Sequence, residues 1–316
     1  MKSIYIAELT DGDDLMNEPF LLQEVVRRET KDGRPYLLST LRDNTGQINS
    51  VFWDVPPDID GWIKAGVVIL VTGRVNSYKN ALQITVTDFN PVETADMTHY
   101  LPSSPRTSEE MVVELRQFVQ DLNQPWCDLV SKILLDPPFL QEFANAPAAR
   151  TMHHAYVGGL LEHTLSMASI AVFLAGHYPY VNKDLLLSGV LLHDLGKALE
   201  YDTGSSFEFT DDGRLVGHIL RATIIVEKAA HEIDDFPEDD LRQLVHLVGS
   251  HHGTMEWGAP VVPKTLEAIL LHQIDLLDSR VQGYFDHLRN DGGDGLWTSK
   301  PSYMFNTELR RPPDFD

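Results

Sequence analysis

The feature that most constrains this chain is a change of period near residue 100. Before it, apolar residues alternate over short runs: "FLLQEVVRRET" and "PYLLSTLRD" flank the turn "KDGR", then come "QINSVFWD", "VVILVTGRVNSY" and "ALQITVTDFNP". Alternation with Gly, Asn and Asp between runs is the signature of half-buried strands. After it, "MVVELRQFVQDL", "GGLLEHTLSMASIAVFLAGHY", "KDLLLSGVLLHDLGKALEY", "GHILRATIIVEKAAHEI", "DDLRQLVHLVGSHH" and "KTLEAILLHQIDLLDSRVQGYFDHL" repeat at helical spacing. A strand-period part and a helix-period part cannot share one layer, so the chain is expected to fold as two domains. Its 316 residues suffice for two cores. Between the parts lies "LPSSPRTSEE", which reads as a linker closed by a helix N-cap at Ser108. The expected boundaries are 1–100, a linker at 101–108, and 109–316.

Charge and histidine follow the same division. The chain holds 25 Lys+Arg against 47 Asp+Glu, a net charge of −22, so whole-surface nucleic-acid binding is disfavoured and any such contact must be local. Of these, 9 basic and 14 acidic residues fall within 1–95. All 13 histidines lie between His99 and His287. The single cysteine, Cys127, fits a reducing, cytoplasmic setting. The N-terminus lacks an apolar signal segment, and no apolar stretch reaches the roughly 20 residues a bilayer requires, so no membrane partner is expected.

In the first part, five strands with a short helical segment ("DIDGWIKAG") between the third and fourth follow the order of an OB-fold. The phrase "LRDNTGQINSVFW" resembles the anticodon-binding and related nucleic-acid OB domains. Basic residues cluster at the first hairpin (Arg27, Arg28, Lys31, Arg34), and Arg74 and Lys79 flank the last. Tyr36, Phe52, Trp53 and Tyr78 are candidate stacking surfaces, since base–aromatic stacking tolerates any sequence. The competing assignment is ordinary core aromatics and solvated loop cations.

In the second part, "GVLLHDLGK" places His193, Asp194 and Lys197 in an apolar run, where each is costly to bury unless paired or metal-bound. Isolated ligand-type residues recur on the successive helices: His163, His193 with Asp194, His218, His251 with His252, and Asp275. Imidazole and carboxylate without thiol suit Mn, Fe, Co, Ni or Zn. This ordered set resembles the HD superfamily of metal-dependent phosphohydrolases. The expected fold is therefore multidomain, an all-β OB-fold barrel followed by an all-α HD-domain helical bundle. A short hairpin, "FEFTDDGRLVG", is expected to interrupt the helices. His246 and His272 are expected in core or ligand-supporting roles.

The combination of an N-terminal OB-fold with "MHHAYVGGLLEHTLSM", "LLHDLGK", "GRLVGHI" and "SHHGTMEWGAPVVPKTLEAILLHQIDLLDS" resembles the YhaM-type 3′→5′ exoribonuclease family over nearly the whole chain. The resemblance implies cleavage of single-stranded RNA or DNA from the 3′ end with two divalent ions, Mn or Co favoured and Fe, Ni, Zn or Mg open, in a homo-oligomer. It implies that His163, His193, Asp194 and Asp275 hold one ion. Asp194, His218 and His251 would hold the other, with His252 completing that site or binding phosphate. Asp194 and Lys197 would be catalytic, and Lys197, Arg221 and His154 would meet the substrate phosphate. The strand would lie on Arg27, Arg28, Lys31, Arg34, Tyr36, Trp53, Tyr78 and Lys79. Two other classes remain: an HD-type nucleotide phosphohydrolase or cyclic dinucleotide phosphodiesterase, and a non-catalytic RNA-binding regulator with structural metal. The diesterase subgroup carries Gly-Tyr-Pro where this chain has Gly258-Ala259-Pro260, and an OB-fold is of little use to a nucleotidase.

Overall fold

A computed structural model describes the chain except residues 1, 54, 57, 58, 60, 61, 80, 93, 94, 96, 102, 103, 105, 150–153, 203–206, 294 and 314–316, and the side chain of Thr98. It divides into two compact units, residues 1–103 with 202–208, and residues 104–201 with 209–316.

The first unit is a closed five-stranded barrel of β1 (Asp14–Glu29), β2 (Pro35–Asp43), β3 (Gly46–Trp53), β4 (Val67–Tyr78) and β5 (Ala81–Pro91), in the order β1-β2-β3-β5-β4. The long β1 closes it by pairing antiparallel with β2 through residues 21–29 and with β4 through residues 14–22. Its register shifts at Leu15/Glu18 and Leu22/Glu24, which let one strand bend between two neighbours. A parallel pairing of β3 with β5, Asn49↔Gln83 to Phe52↔Val86, supplies the remaining seam. The alternation seen in sequence becomes an inward set: Phe20, Leu22, Leu37, Leu41, Ile48, Phe52, Ile69, Val71, Val75, Ile84, Val86 and Phe89 are buried together. Gly73 lies at a register shift between β4 and β5, where a Cβ would stand 2.4 Å from the Thr85 carbonyl oxygen. Only glycine allows the strands to approach there. The expected helical segment before β4 falls partly outside the described residues; the described part makes a 3₁₀ residue at Ile59 and a turn at Trp62.

The second unit is helical: α1 (Ser108–Gln120), α2 (Trp126–Leu134), α3 (Pro137–Asn145), α4 (Gly159–His177), α5 (Lys183–Leu192), α6 (Lys197–Glu200), α7 (Asp211–Leu215), α8 (His218–His231), α9 (Glu238–Ser250) and α10 (Leu266–Asn290). The cap of α1 is Thr107, whose hydroxyl accepts from Glu110 N while Glu110 reaches back to Thr107 N, so Ser108 is the first helical residue and not the cap. The expected hairpin at 207–217 is displaced. Strands β6 (Tyr201–Asp202) and β7 (Glu208–Phe209) pair, and the downstream half of that stretch coils into α7, capped by the Thr210 hydroxyl. Helix α4 has 19 residues of mean hydropathy 1.3, enough in length and composition to cross a membrane, where the sequence reading found no such stretch. Its buried residues, from Leu160 and Leu161 through Leu165, Met167 and Ala168, pack into the same core as α5 and α10.

Candidate metal centre and nucleic-acid face

The apolar run around His193 and Asp194 is two helices, not one. Helix α5 stops at Leu192, His193 is its C-cap, and the chain turns through Asp194 to Gly196 before α6 starts at Lys197. A Cβ on Gly196 would lie 2.2 Å from the His218 carbonyl oxygen, so glycine lets this turn close on the first residue of α8. The same economy recurs elsewhere. His218 opens α8 after Gly217, whose φ is +74°. His251 caps α9 and His252 follows it. Gly253, with φ +79°, makes the next turn, and a Cβ there would strike the His272 ring at 2.2 Å. His163 and Asp275 come from within α4 and α10. Apart from His163 and Asp275, the candidate ligands thus gather where helices end, and the backbone departs from regular helix there without opening the core.

Five imidazoles are held by Nδ1. His163 Nδ1 is 2.7 Å from Asp278 Oδ2, His193 Nδ1 is 2.8 Å from the Val190 carbonyl, and His251 Nδ1 is 2.7 Å from the Val248 carbonyl. His252 Nδ1 is 2.7 Å from the Trp257 carbonyl, and His218 Nδ1 is 3.0 Å from Glu200 Oε2. An acceptor at Nδ1 fixes the proton there and leaves Nε2 with its lone pair, the arrangement of a metal-ligating histidine.

The Nε2 atoms converge. His163, His193 and Asp275 form one group whose donor atoms lie within 4.8 Å of one another, and His218, His251 and His252 form a second. Asp194 stands between them, with Oδ2 3.2 Å from His193 Nε2 and Oδ1 3.4 Å and 3.7 Å from His251 and His218 Nε2. His193 Nε2, His251 Nε2 and Asp194 Oδ1 are buried without a hydrogen bond among the described residues. Buried polar atoms cost about 1–3 kcal/mol each when unsatisfied, so a site concentrating them is shaped for something that binds them. The hard and borderline donor set fits divalent first-row metals.

Electrostatics divide the histidines. Burial, reinforced by His251, pushes His252 down to about 4, and burial also lowers His251, so both are neutral donors at neutral pH. Burial opposes the charge of His163, but Asp275 and Asp278 outweigh it and raise this group to about 9, so without a metal its Nε2 also carries a proton at neutral pH, one that a bound cation would have to displace. Asp194 is held well below the ordinary carboxylate range: burial works against its charge, and Lys197 and His193 prevail. Lys197 Nζ lies 2.6 Å from Asp194 Oδ2, and this carboxylate raises the Lys197 pKa against its burial. The cost of burying Asp194 and Lys197 in an apolar run is met first by this pairing.

Two acids escaped the sequence reading. Asp278, 8% exposed, accepts from His163 Nδ1, from His154 Nε2 at 3.1 Å and from the Ser166 hydroxyl. Glu200 accepts from the His218 ring and from its backbone N–H at 3.2 Å. His154 was expected to meet the substrate phosphate. It is buried, with Nδ1 2.7 Å from the Tyr156 hydroxyl and Nε2 on Asp278, so both nitrogens serve the protein interior. Its neighbour His153 lies outside the described residues. Arg221 was also expected on phosphate, but its guanidinium grips Asp212 through both Nε, at 2.8 Å, and Nη2. His272 supports a candidate ligand as expected, its Nδ1 meeting the His251 carbonyl at 2.9 Å, whereas His246 is half-buried and its Nε2 accepts from Lys264 N at 2.9 Å, holding the loop before α10.

On the barrel, the register aligns Arg28, Tyr36 and Trp53 in one row across β1, β2 and β3. Neighbours in sequence, Leu37 and Phe52, face inward, so this row faces outward. Tyr36 and Trp53 stack at 4.8 Å with Trp53 48% exposed. Phe52 is a core residue packed edge-on to Phe89 at 5.2 Å, not a stacking surface. Arg27, Arg28, Lys31 and Arg34 are exposed around the first hairpin. Tyr78 is exposed at the last, with Lys79 Nζ 5.2 Å from its ring centre, and Arg74 lies 3.8 Å from Asp14.

Comparison with known proteins matches residues 160–280 to the HD domain and residues 24–92 to the OB-fold nucleic acid binding domain. Among solved structures, the second OB-fold domain of replication protein A from Methanococcus maripaludis is similar at 23% identity over 30% of this chain and 99% of that one (TM-score 0.23). The protein PriB from Ralstonia solanacearum is similar at 17% identity over 26% and 98% (TM-score 0.22). A replication protein A heterotrimer bound to single-stranded DNA is similar at 23% over 24% of this chain and 55%, about half, of that one (TM-score 0.20). The five-stranded barrel thus carries the match to an OB-fold nucleic acid binding domain, and the helices from α4 into α10 carry the match to an HD domain.

Proposed function

We propose that the protein is a metal-dependent 3′→5′ exonuclease acting on single-stranded RNA, with DNA as a second substrate. The observation that carries this reading is one chain joining an HD domain, whose ligand atoms converge around Asp194, to an OB-fold nucleic-acid-binding domain. In this reading His163, His193, Asp194 and Asp275 would hold one divalent ion, and Asp194, His218, His251 and His252 would hold a second. Divalent ions held by these residues would supply activation of a water and neutralisation of phosphate charge. Mn or Co suits the donor set. Asp194 offers one oxygen to each group, which makes it the residue on which both depend. Lys197, pinned at 2.6 Å to Asp194, holds a cation beside the phosphate and stabilises charge gathering on its oxygens. Asp278 and Glu200 fix the tautomers of His163 and His218.

The barrel recruits the strand through Arg28, Tyr36 and Trp53, with Arg27, Lys31, Arg34, Tyr78 and Lys79 around them. This local basic and aromatic surface suits a chain whose net charge of −22 disfavours grip by the whole surface. Homo-oligomeric assembly is part of the same proposal, resting on the family resemblance, and a cytoplasmic site of action rests on the single cysteine. The test is incubation of the purified protein with end-labelled single-stranded RNA, single-stranded DNA and free nucleotides under Mn²⁺. Stepwise shortening of the strands supports the proposal, whereas hydrolysis of free nucleotides alone favours the small-nucleotide phosphohydrolase.

A further inference from the structure

The segment between α9 and α10 leaves apolar side chains in solvent next to the second histidine group. Met255 is 69% exposed, Trp257 53%, and Val261 and Val262 are 42% and 43%. Met255–Trp257 forms a single 3₁₀ turn held between Gly253 (φ +79°) and Gly258 (φ +92°). This turn is tied to the centre: the Trp257 carbonyl accepts from His252 Nδ1 at 2.7 Å, and the indole stands 6.2 Å from the His272 ring, which itself holds the His251 carbonyl. Trp257 therefore orients a candidate ligand with its backbone while the residue as a whole stays 53% exposed. Folding alone does not account for an exposed indole flanked by exposed Met and Val in a unit this acidic.

We propose that Trp257 is the platform on which the base of the nucleotide being removed stacks, with Met255 beside it. This deepens the exonuclease reading and rests on it for the identity of the substrate. A sugar separates base from phosphate, so a base platform must lie beside the phosphate-binding ligands and not among them. The backbone tie to His252 and a ring turned toward His272 give that offset. Stacking on an indole accepts any base, which assigns the site a requirement for a nucleobase without a choice among the four.

The test has two arms on the full chain loaded with Mn²⁺. In the first, Trp257→Ala and Trp257→Phe are compared with wild type on a single strand ending in an ordinary nucleotide and on one whose 3′-terminal nucleotide is abasic. Loss of one base–aromatic stack predicts that Trp257→Ala raises KM for the ordinary strand about 5- to 150-fold, with far less effect on the abasic one and partial rescue by Phe. In the second arm, binding of adenosine monophosphate and of ribose 5-phosphate is measured by calorimetry. Wild type should prefer the nucleotide, and Trp257→Ala should lose that preference while keeping its metal content. Equal effects on both strands, or an unchanged preference for the nucleotide, would overturn the platform. A wild type that cuts no strand yet shows a Trp257-dependent preference for the nucleotide would refute the exonuclease reading and leave the platform standing.

Discussion

Replacing Asp278 by Asn removes a single negative charge and leaves the side-chain volume in place. The carboxylate takes three donors: His163 Nδ1 at 2.7 Å, His154 Nε2 at 3.1 Å and the Ser166 hydroxyl. An amide has one oxygen to offer and turns its NH₂ toward a donor already there. His163 then either loses its partner or moves its proton to Nε2, the atom that faces Asp275 at 3.4 Å. Partners that orient a metal-bound histidine are worth about 10- to 100-fold in affinity, or about 1.4–2.7 kcal/mol. Hydrogen bonds to a charged group contribute about 1.5–3 kcal/mol each, so the metal-free fold should weaken by about 3–5 kcal/mol, less than the sum because the three share one acceptor. Burial works against the Asp278 charge, but its donors outweigh it and hold the carboxyl below the ordinary range. Its contribution is therefore complete above about pH 4, the ordinary carboxylate value, and is lost as pH falls through the lower folded value. Mn²⁺ titration calorimetry and chemical denaturation between pH 3 and 7 measure both effects, and the variant should show the smaller loss of stability on acidification. Mn²⁺ affinity within twofold of wild type would refute the orienting role.

Asp194→Ala should abolish hydrolysis and lower bound metal while the fold persists, because its two oxygens face the two ligand groups; metal analysis with circular dichroism checks this, and activity at full metal occupancy would sink the assignment. Lys197→Met should keep the metal and slow kcat by about 10²- to 10³-fold, the cost of removing one preorganised donor to developing charge. Metal lost from that variant would make Lys197 a support for Asp194 alone. Changing Arg27, Arg28, Lys31 and Arg34 together should raise KM for long strands and flatten its salt dependence, with little change on a minimal diester. Equal effects on both substrates would assign the hairpin to folding or assembly.

The candidate ligands that converge around Asp194 stood out in the sequence because each is a polar residue stranded on an apolar background, and such residues have few reasons to be there. Asp278 was not, since three positions after Asp275 it shares the spacing of an ordinary polar face; only the packing of α4 against α10 brings it to His163. Glu200 escaped, and Arg221 was given phosphate as its partner in place of Asp212, for a related reason. Their partners depend on the turn through Gly196 and on α7, where the sequence pattern pointed to one continuous helix and a hairpin. The five strands were readable from alternation, but Phe52 and Trp53 differ by one position, and a one-residue change of register exchanges core for surface. That ambiguity is settled by burial, Phe52 being 4% exposed and Trp53 48%.

The central claim, that the HD domain cuts strands from the 3′ end, is tested most directly by 5′-labelled single-stranded RNA incubated with the Mn²⁺-loaded protein and resolved by length over time. The account predicts a ladder shortening one nucleotide at a time, absent with Asp194→Ala and absent when the divalent ion is chelated. Internal cuts without a ladder, or an intact strand under conditions in which free nucleotides are hydrolysed, would contradict it.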